Sequence, residues 1–574
     1  RQNPPVPPGW WLLVTYPQAF RAALHGANGT SPEHLASIPT RLGHIVAFPP
    51  QSPAAPFDAR LRLESLTPQG QETLEGTLRF LAASPAPGAP PDPDGVALLT
   101  NGRGAMARLR LDLGSIRSKY DAALAANLHP SLPVDRHVLV KRVRAWVNAD
   151  GFISPLDRFN LEHFHPGPPA VWTFRANAGD GRHVVIRLEA WMPDGRNTLV
   201  LRFSRPPSGP PLATSLTLRP DLEDRSYHAE THRNPGAEHH FSSHTQTLPH
   251  RHGFLFSPAP DRRCQVLART GVYHPQPEWC EHIAHPVEAA RGQVAEGAAY
   301  SPGWFEIPLA PGHHTELTLD AEASEIPAAA WDPPQALPAS DPTDDPFAAR
   351  LRTAANAFLA RRESGRTVIA GYPWFLDWGR DTFIAARGLL AGGWVEDVRS
   401  ILRVFAPFAE AGTLPNSIFG SNASNRDTSD APLWFAVVAA ELLDAQPDDA
   451  TQALRPLLTR TVRELLQGYL AGTPNGIRVD PDAALVWSPA HFTWMDTNHP
   501  ACTPREGYPV EIQALWIRSL RWLSTQPGPD GPRWAELADR ATRHLEALFW
   551  LEDEGWLSDV LLAAPGVAAR DATP

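Results

Sequence analysis

The sequence is poor in cysteine. Its three cysteines, Cys264, Cys280 and Cys502, are odd in number and widely scattered over 574 residues. That argues against a disulfide framework and predicts a reducing, cytoplasmic location. Lysine is nearly absent: of 51 basic residues only Lys119 and Lys141 are lysine. Together with 62 prolines and three methionines, this reads as a coding-composition bias and implies no function. Positive charge is not in surplus either. The net charge of −11 predicts no nucleic-acid partner. No apolar run approaches the ~20 residues of a bilayer span, and WWLLV near the start is far too short, so no membrane partner is expected. Tyrosine is scarce, at 8 residues, but tryptophan is not, at 19. An indole offers a broad apolar face and one N–H donor, which suits the C–H faces and hydroxyl rim of a sugar. Composition by itself favours the plainer reading of tryptophan as core filler.

The balance of 43% hydrophobic and 20% charged residues is that of a globular protein with several domains. Residues 1–82 form an uncertain N-terminal segment, in which PQAFRAALHGA reads as a short helix and ARLRLESL as a strand. Residues 83–95 have linker composition. Over 96–326 the apolar period is two. Val184, Ile186, Leu188 and Ala190 alternate along one strand, Asp194–Gly195 turns the chain, and Leu199, Leu201 and Phe203 return. Many such strands predict a β-sandwich. Residues 327–346 form a second linker, and from 347 to 574 the period is helical, with seven amphipathic runs. The loops between these runs are long and rich in Gly, Pro, Trp and Asp, and loops of that length usually carry function.

Polar residues concentrate in three of those loops: 371–382, 414–430 and 486–511. Aromatics interleaved with carboxylates fit glycoside chemistry. One carboxylic acid protonates the leaving oxygen, and a second carboxylate activates water or attacks the sugar. Asp496, in FTWMD, lies in an apolar local setting that would keep an acid protonated, and no helix follows it to be capped. It is the first choice as general acid. Asp381 and Asp430 each precede a helical run and could simply be N-caps. Glu511 could simply complement a helix dipole. Arg380 and Arg505 could hold carboxylates or sugar hydroxyls. His228 and His232 are spaced i, i+4 like a metal pair, but Pro235 and Gly236 follow and no cysteine is near, so a polar loop and no metal are expected.

GYPWFLDWGRDT, SDAPLWF, and FTWMD followed by TPREGYPVEIQALW closely resemble the amylo-α-1,6-glucosidase domain of the glycogen debranching enzyme family, glycoside hydrolase family 133. LLTNGRGAMARLRLDLGSIRSKYDAALAANLHPSLPVDRHV, RAWVNADGF and RPDLEDRSYH resemble the N-terminal domain of a bacterial branch of that family. The resemblance implies a β-sandwich followed by an (α/α)₆ barrel, no cofactor, and inverting hydrolysis of α-1,6 branch points in glycogen or limit dextrin. It makes Asp496 the acid and places Trp374, Trp378, Arg380, Asp381 and Glu511 around the glucose. Tyr372, Asp377, Asn416, Asp430, Trp434, Trp494 and Arg505 complete the expected sugar-binding set. It also implies a glutamate base near the C-terminal end of the barrel, to which no segment here corresponds. The barrel is therefore expected to be incomplete and the sequence truncated at its C-terminal end. A glucoamylase-like or trehalase-like hydrolase of the same fold, or a non-catalytic glucan-binding protein, are the alternatives. The oligomeric state is left open.

Overall fold

The computed structural model describes residues 4–26, 33–41, 43–53, 57–67, 70–81, 95–179, 181–209, 211–248, 250–334, 346–498 and 503–574. The expected linker at 83–95 and Cys502 lie almost wholly outside these residues, as does the stretch 335–345 of the second linker. The chain divides into two compact units, Arg1–Asp92 and Pro93–Pro574.

The small unit is built of strands. PQAFRAALHGA, expected as a helix, contains the strand Phe20–His25, flanked by Glu33–Ala36 and Phe57–Thr67. The reason is burial. Phe20, Ala22 and Leu24 alternate into a core with Val46, Phe48, Leu61 and Phe80, and tertiary packing overrides the helical preference of the alanines. A second sheet of three strands, Leu12–Tyr16, Gly43–Phe48 and Ile38–Thr40, packs on the same core.

The large unit opens with a mostly sheet region. A ten-stranded and an eight-stranded sheet share one core, in which Val140 and Leu218 of the first meet Trp172, Phe174, Ile186 and Leu188 of the second. The alternation in His183–Trp191 is realised: Val184, Ile186, Leu188 and Ala190 are buried, and the strand pairs antiparallel with Thr198–Ser204. Asp150 and Gly151 both take left-handed φ in the turn between His137–Ala149 and Phe152–Pro155, as a two-residue hairpin requires. Part of the second expected linker is packed. Ala328–Trp331 is a 3₁₀ turn, and its Ala330 carbonyl accepts from the buried Trp191 indole.

All seven expected helical runs form helices: Pro346–Ala357, Gly379–Ala391, Val395–Phe405, Ala431–Ala445, Arg455–Ala471, Val510–Ser524 and Gly531–Phe549. Ala431–Ala445 is apolar on nearly every side because it lies centrally, touching Gly379–Ala391, Val395–Phe405, Arg455–Ala471 and Val510–Ser524. The helical and sheet regions meet through a buried cluster of Met106, Tyr120, Val138 and Tyr227 from the sheets with Ala360, Ile369 and Tyr372.

Candidate active site

Three helices, Gly379–Ala391, Ala431–Ala445 and Val510–Ser524, present their first turns to one neighbourhood. Arg380, second residue of the first, donates its Nε to Asp430 at the head of the second, at 2.8 Å. Gly379 makes this approach possible: a Cβ there would stand 2.4 Å from the Pro415 carbonyl oxygen. The loop that precedes the third helix is tied in through Ser429, whose N–H donates to Phe492 O and whose hydroxyl meets that of Ser488 at 2.8 Å. A helix N-terminus favours negative charge, which suits the carboxylates of Asp381, Asp430 and Glu511 in or beside these first turns.

The centre is the Arg380 guanidinium. Its Nε faces the buried Asp430, and its Nη1 and Nη2 donate to one oxygen of Asp496 at 3.1 and 3.3 Å. Asp430 also accepts from Thr428 Oγ1 at 2.6 Å. Its side chain makes no capping bond; the hydroxyl of Thr428 accepts the Ala431 N–H instead. Asp381 caps nothing either, for the helix begins two residues before it, at Gly379. Burial pushes the Asp381 carboxyl up, Arg380 opposes this, and the charges of Asp430 and Asp496 add to the rise. Asp430 is also raised by burial, against the pull of Arg380 and Thr428. Asp496 is less enclosed, its side chain 31% exposed, and the neighbouring Trp494 is 59% exposed. The apolar surroundings expected for Asp496 are thus replaced by an ion pair, with an arginine that lies 116 positions upstream.

Arg505 organises a second knot. It holds both oxygens of Glu511, at 2.5 and 2.7 Å, both oxygens of Asp559, at 2.9 Å each, and the hydroxyl of Thr493. Glu511 is in a first helical turn, as the dipole argument anticipates, but its partner is this arginine. Asp559 was not legible as a site residue, because its contact with Arg505 spans 54 positions and no local pattern marks it.

Other expected sugar ligands are placed differently. Asp377 is fully buried and paired with Arg362 at 2.5 and 3.0 Å, with Thr367 at 3.1 Å, so it is a core ion pair. Tyr372 is buried beneath the sheet region with the Arg136 guanidinium 4.7 Å from its ring, and burial pushes its hydroxyl up to about 12. Trp374 turns to the same side, edge-on to Tyr120 and under Arg291. Trp378, half-buried, packs its ring edge-on against Phe375 just before the helix that carries Arg380. Asn416 is buried, with its side-chain oxygen lacking a protein partner and its carbonyl accepting the Gly379 N–H. Trp434 lies within Ala431–Ala445, covered by the Arg387 guanidinium at 5.4 Å. The sequence thus named Arg380, Asp381, Asp430 and Glu511 in or beside the three first turns, and Asp496 and Arg505 on the loop before the third, whereas Tyr372 and Asp377 are buried away from them.

The histidine-rich stretch holds no helical pair at His228 and His232; the helix there is Pro235–Ser243. His228 meets the Tyr120 hydroxyl, and His240 and His137 both bond to Asp224. Among the described residues no group of His, Cys, Asp and Glu could hold a metal ion, and no helix is long and apolar enough to cross a membrane.

Among solved structures, the chain is similar to heparinase III at 10% identity over 47% of this chain and 35% of that one, with a TM-score of 0.18. It thus spans about a third of the heparinase III polypeptide. It is also similar to native alfa-L-rhamnosidase from Aspergillus terreus at 12% identity, over 94% of this chain and 71% of that one, with a TM-score of 0.28. At such scores neither likeness bears on the fold. The family models are specific. Residues 97–316 match the one described as glycogen debranching enzyme N terminal, and residues 353–569 match the one described as amylo-alpha-1,6-glucosidase. Both halves of the large unit are thus matched in the order of one architecture, and the chain belongs to the glycogen debranching enzyme family.

Proposed function

We propose that the protein hydrolyses α-1,6-glucosidic branch points of glycogen or limit dextrin in the cytoplasm, on an (α/α)₆ barrel, with Asp496 as proton donor. The observation that carries this reading is the Arg380 fork between Asp430 and Asp496. Inverting cleavage needs an acid at the leaving oxygen and a carboxylate that activates water from the opposite face. Asp496 is the partly exposed member of the cluster, on a loop beside an exposed indole, and can reach a sugar oxygen. Arg380 positions Asp496 through one carboxylate oxygen. Asp430, buried and held by Thr428, is the counter-ion that fixes the guanidinium from its other side. Glu511, gripped through both oxygens by Arg505, orients rather than reacts. The free Cys264 and Cys280 agree with a reducing compartment.

The test is Asp496→Asn in the full-length protein, with glucose release from a 6-O-glucosyl maltooligosaccharide as readout and maltose as control. Release from the branched substrate alone, falling ~10²–10⁴-fold in the variant while glucan affinity persists, is the expected result. Equal release from maltose would favour a glucoamylase-like enzyme. A parent that binds glucan without turnover would favour a binding protein.

A further inference from the structure

The small unit lies ahead of the residues matched by either family model, and its surface departs from the usual strand rule. Along Leu12–Tyr16 the residues Leu12, Val14 and Tyr16 pack on the unit's core, so alternation turns Leu13 and Thr15 outward. The pairs Leu13↔Ala47, Thr15↔Ile45 and Ile38↔Ile45 set these outward residues side by side across the three strands. A one-sided antiparallel sheet normally keeps that face polar. Here it is apolar, and it is edged by two consecutive indoles: Trp10, Trp11, Leu13 and Ile38 are 67%, 60%, 59% and 64% exposed. Contiguous exposed apolar surface of this kind marks a binding face.

The indoles are held by a specific turn. Gly9 takes φ +77 and donates its N–H to Gln51 O at 2.9 Å, anchoring the backbone just before Trp10. A side chain at that φ would be strained. Charge indicates the ligand class. Residues 1–92 carry six arginines and six Asp or Glu residues, so the unit has no surplus for a phosphate polymer or an anionic membrane. Two solvent-exposed indoles on a unit without net charge suit the apolar faces of neutral pyranose rings.

We propose that this unit is a binding module for a neutral α-glucan, which stacks on Trp10 and Trp11. The proposal rests on the glycogen reading for its choice of sugar. A branched polymer presents many equivalent branches, so one branch can occupy the module while another enters the helical site. Tethering then raises the effective concentration of substrate without altering the site itself.

The experiment compares the parent with Trp10→Ala/Trp11→Ala and with Trp10→Phe/Trp11→Phe, all as full-length proteins. Affinity electrophoresis through gels containing glycogen measures binding, and circular dichroism melts check folding. The alanine pair should weaken glycogen affinity by at least ~10-fold, the scale of two lost stacking contacts. The phenylalanine pair should restore most of it, and glucose release from a short branched oligosaccharide should be unchanged in both. An alanine pair that is retarded like the parent overturns the module. So does a parent that light scattering shows to be a dimer and that the alanine pair renders monomeric, for the face would then seat a second copy. Indole-dependent binding without any hydrolysis would leave the module standing and remove the glucosidase reading; hydrolysis with silent indoles would do the reverse.

Discussion

Replacing Asp377 by asparagine separates a packing role from a sugar-binding one. Asp377 stands one residue before Trp378 in the loop that delivers Arg380, and its sequence context marks it as a glucose ligand. In the structure its carboxylate faces Arg362, whose side chain is only 2% exposed and whose Nη1 also donates to Gly420 O. Asp377→Asn preserves the volume and removes the charge, leaving a buried guanidinium without an anion. Breaking one half of a buried pair costs about 3–5 kcal/mol. With urea slopes of roughly 1–3 kcal/mol/M, the transition of the helical region should move down by about 1–5 M. Removing both charges, as Arg362→Met/Asp377→Leu, should recover most of that loss, since apolar replacement of a buried pair is often close to neutral. The assay is urea denaturation of the full-length protein followed by tryptophan fluorescence and circular dichroism. An Asp377→Asn protein that unfolds at the parent midpoint but loses affinity for maltooligosaccharides would refute this assignment and restore the sugar-binding one.

Two further outcomes are expected. Asp430→Asn takes from Arg380 its buried counter-ion and leaves Asp496 as its sole anionic partner, so the guanidinium that positions Asp496 is no longer fixed. Glucose release should fall by at least ~10-fold in a variant that stays folded by circular dichroism; an unchanged rate would show that the two carboxylates do not share the guanidinium. His285 is buried with both ring nitrogens lacking a protein partner, and burial lowers it to about 4. The unfolded protein therefore binds a proton between about pH 6.5 and 4 that the native protein refuses, and stability falls as the pH drops through that window. At most roughly 3 kcal/mol is involved. His285→Phe should flatten the decline in a pH series of urea melts, and an unaltered slope would exclude this residue as its source.

The sequence alone determined the sheet region, the seven helices and the family, because periods of two and 3.6 and several long motifs are local properties of a polypeptide. It also marked the loops that hold the chemistry, since aromatics and carboxylates cluster there within a few residues of each other. What each loop residue does was decided only by contacts across the fold. Asp377 and Asp381 stand four positions apart in one motif, yet the first meets Arg362 in the core and the second sits in the first turn of the helix that carries Arg380. Asp430 looked like a helix cap until Arg380 claimed it from 50 positions away. The strand Phe20–His25 shows the same principle for backbone structure: its alanines favour a helix, and a shared core makes them a strand. Local pattern determines which shapes a segment can take. Desolvation and charge pairing between distant segments choose among them, and those terms exist only once the polypeptide has closed on itself.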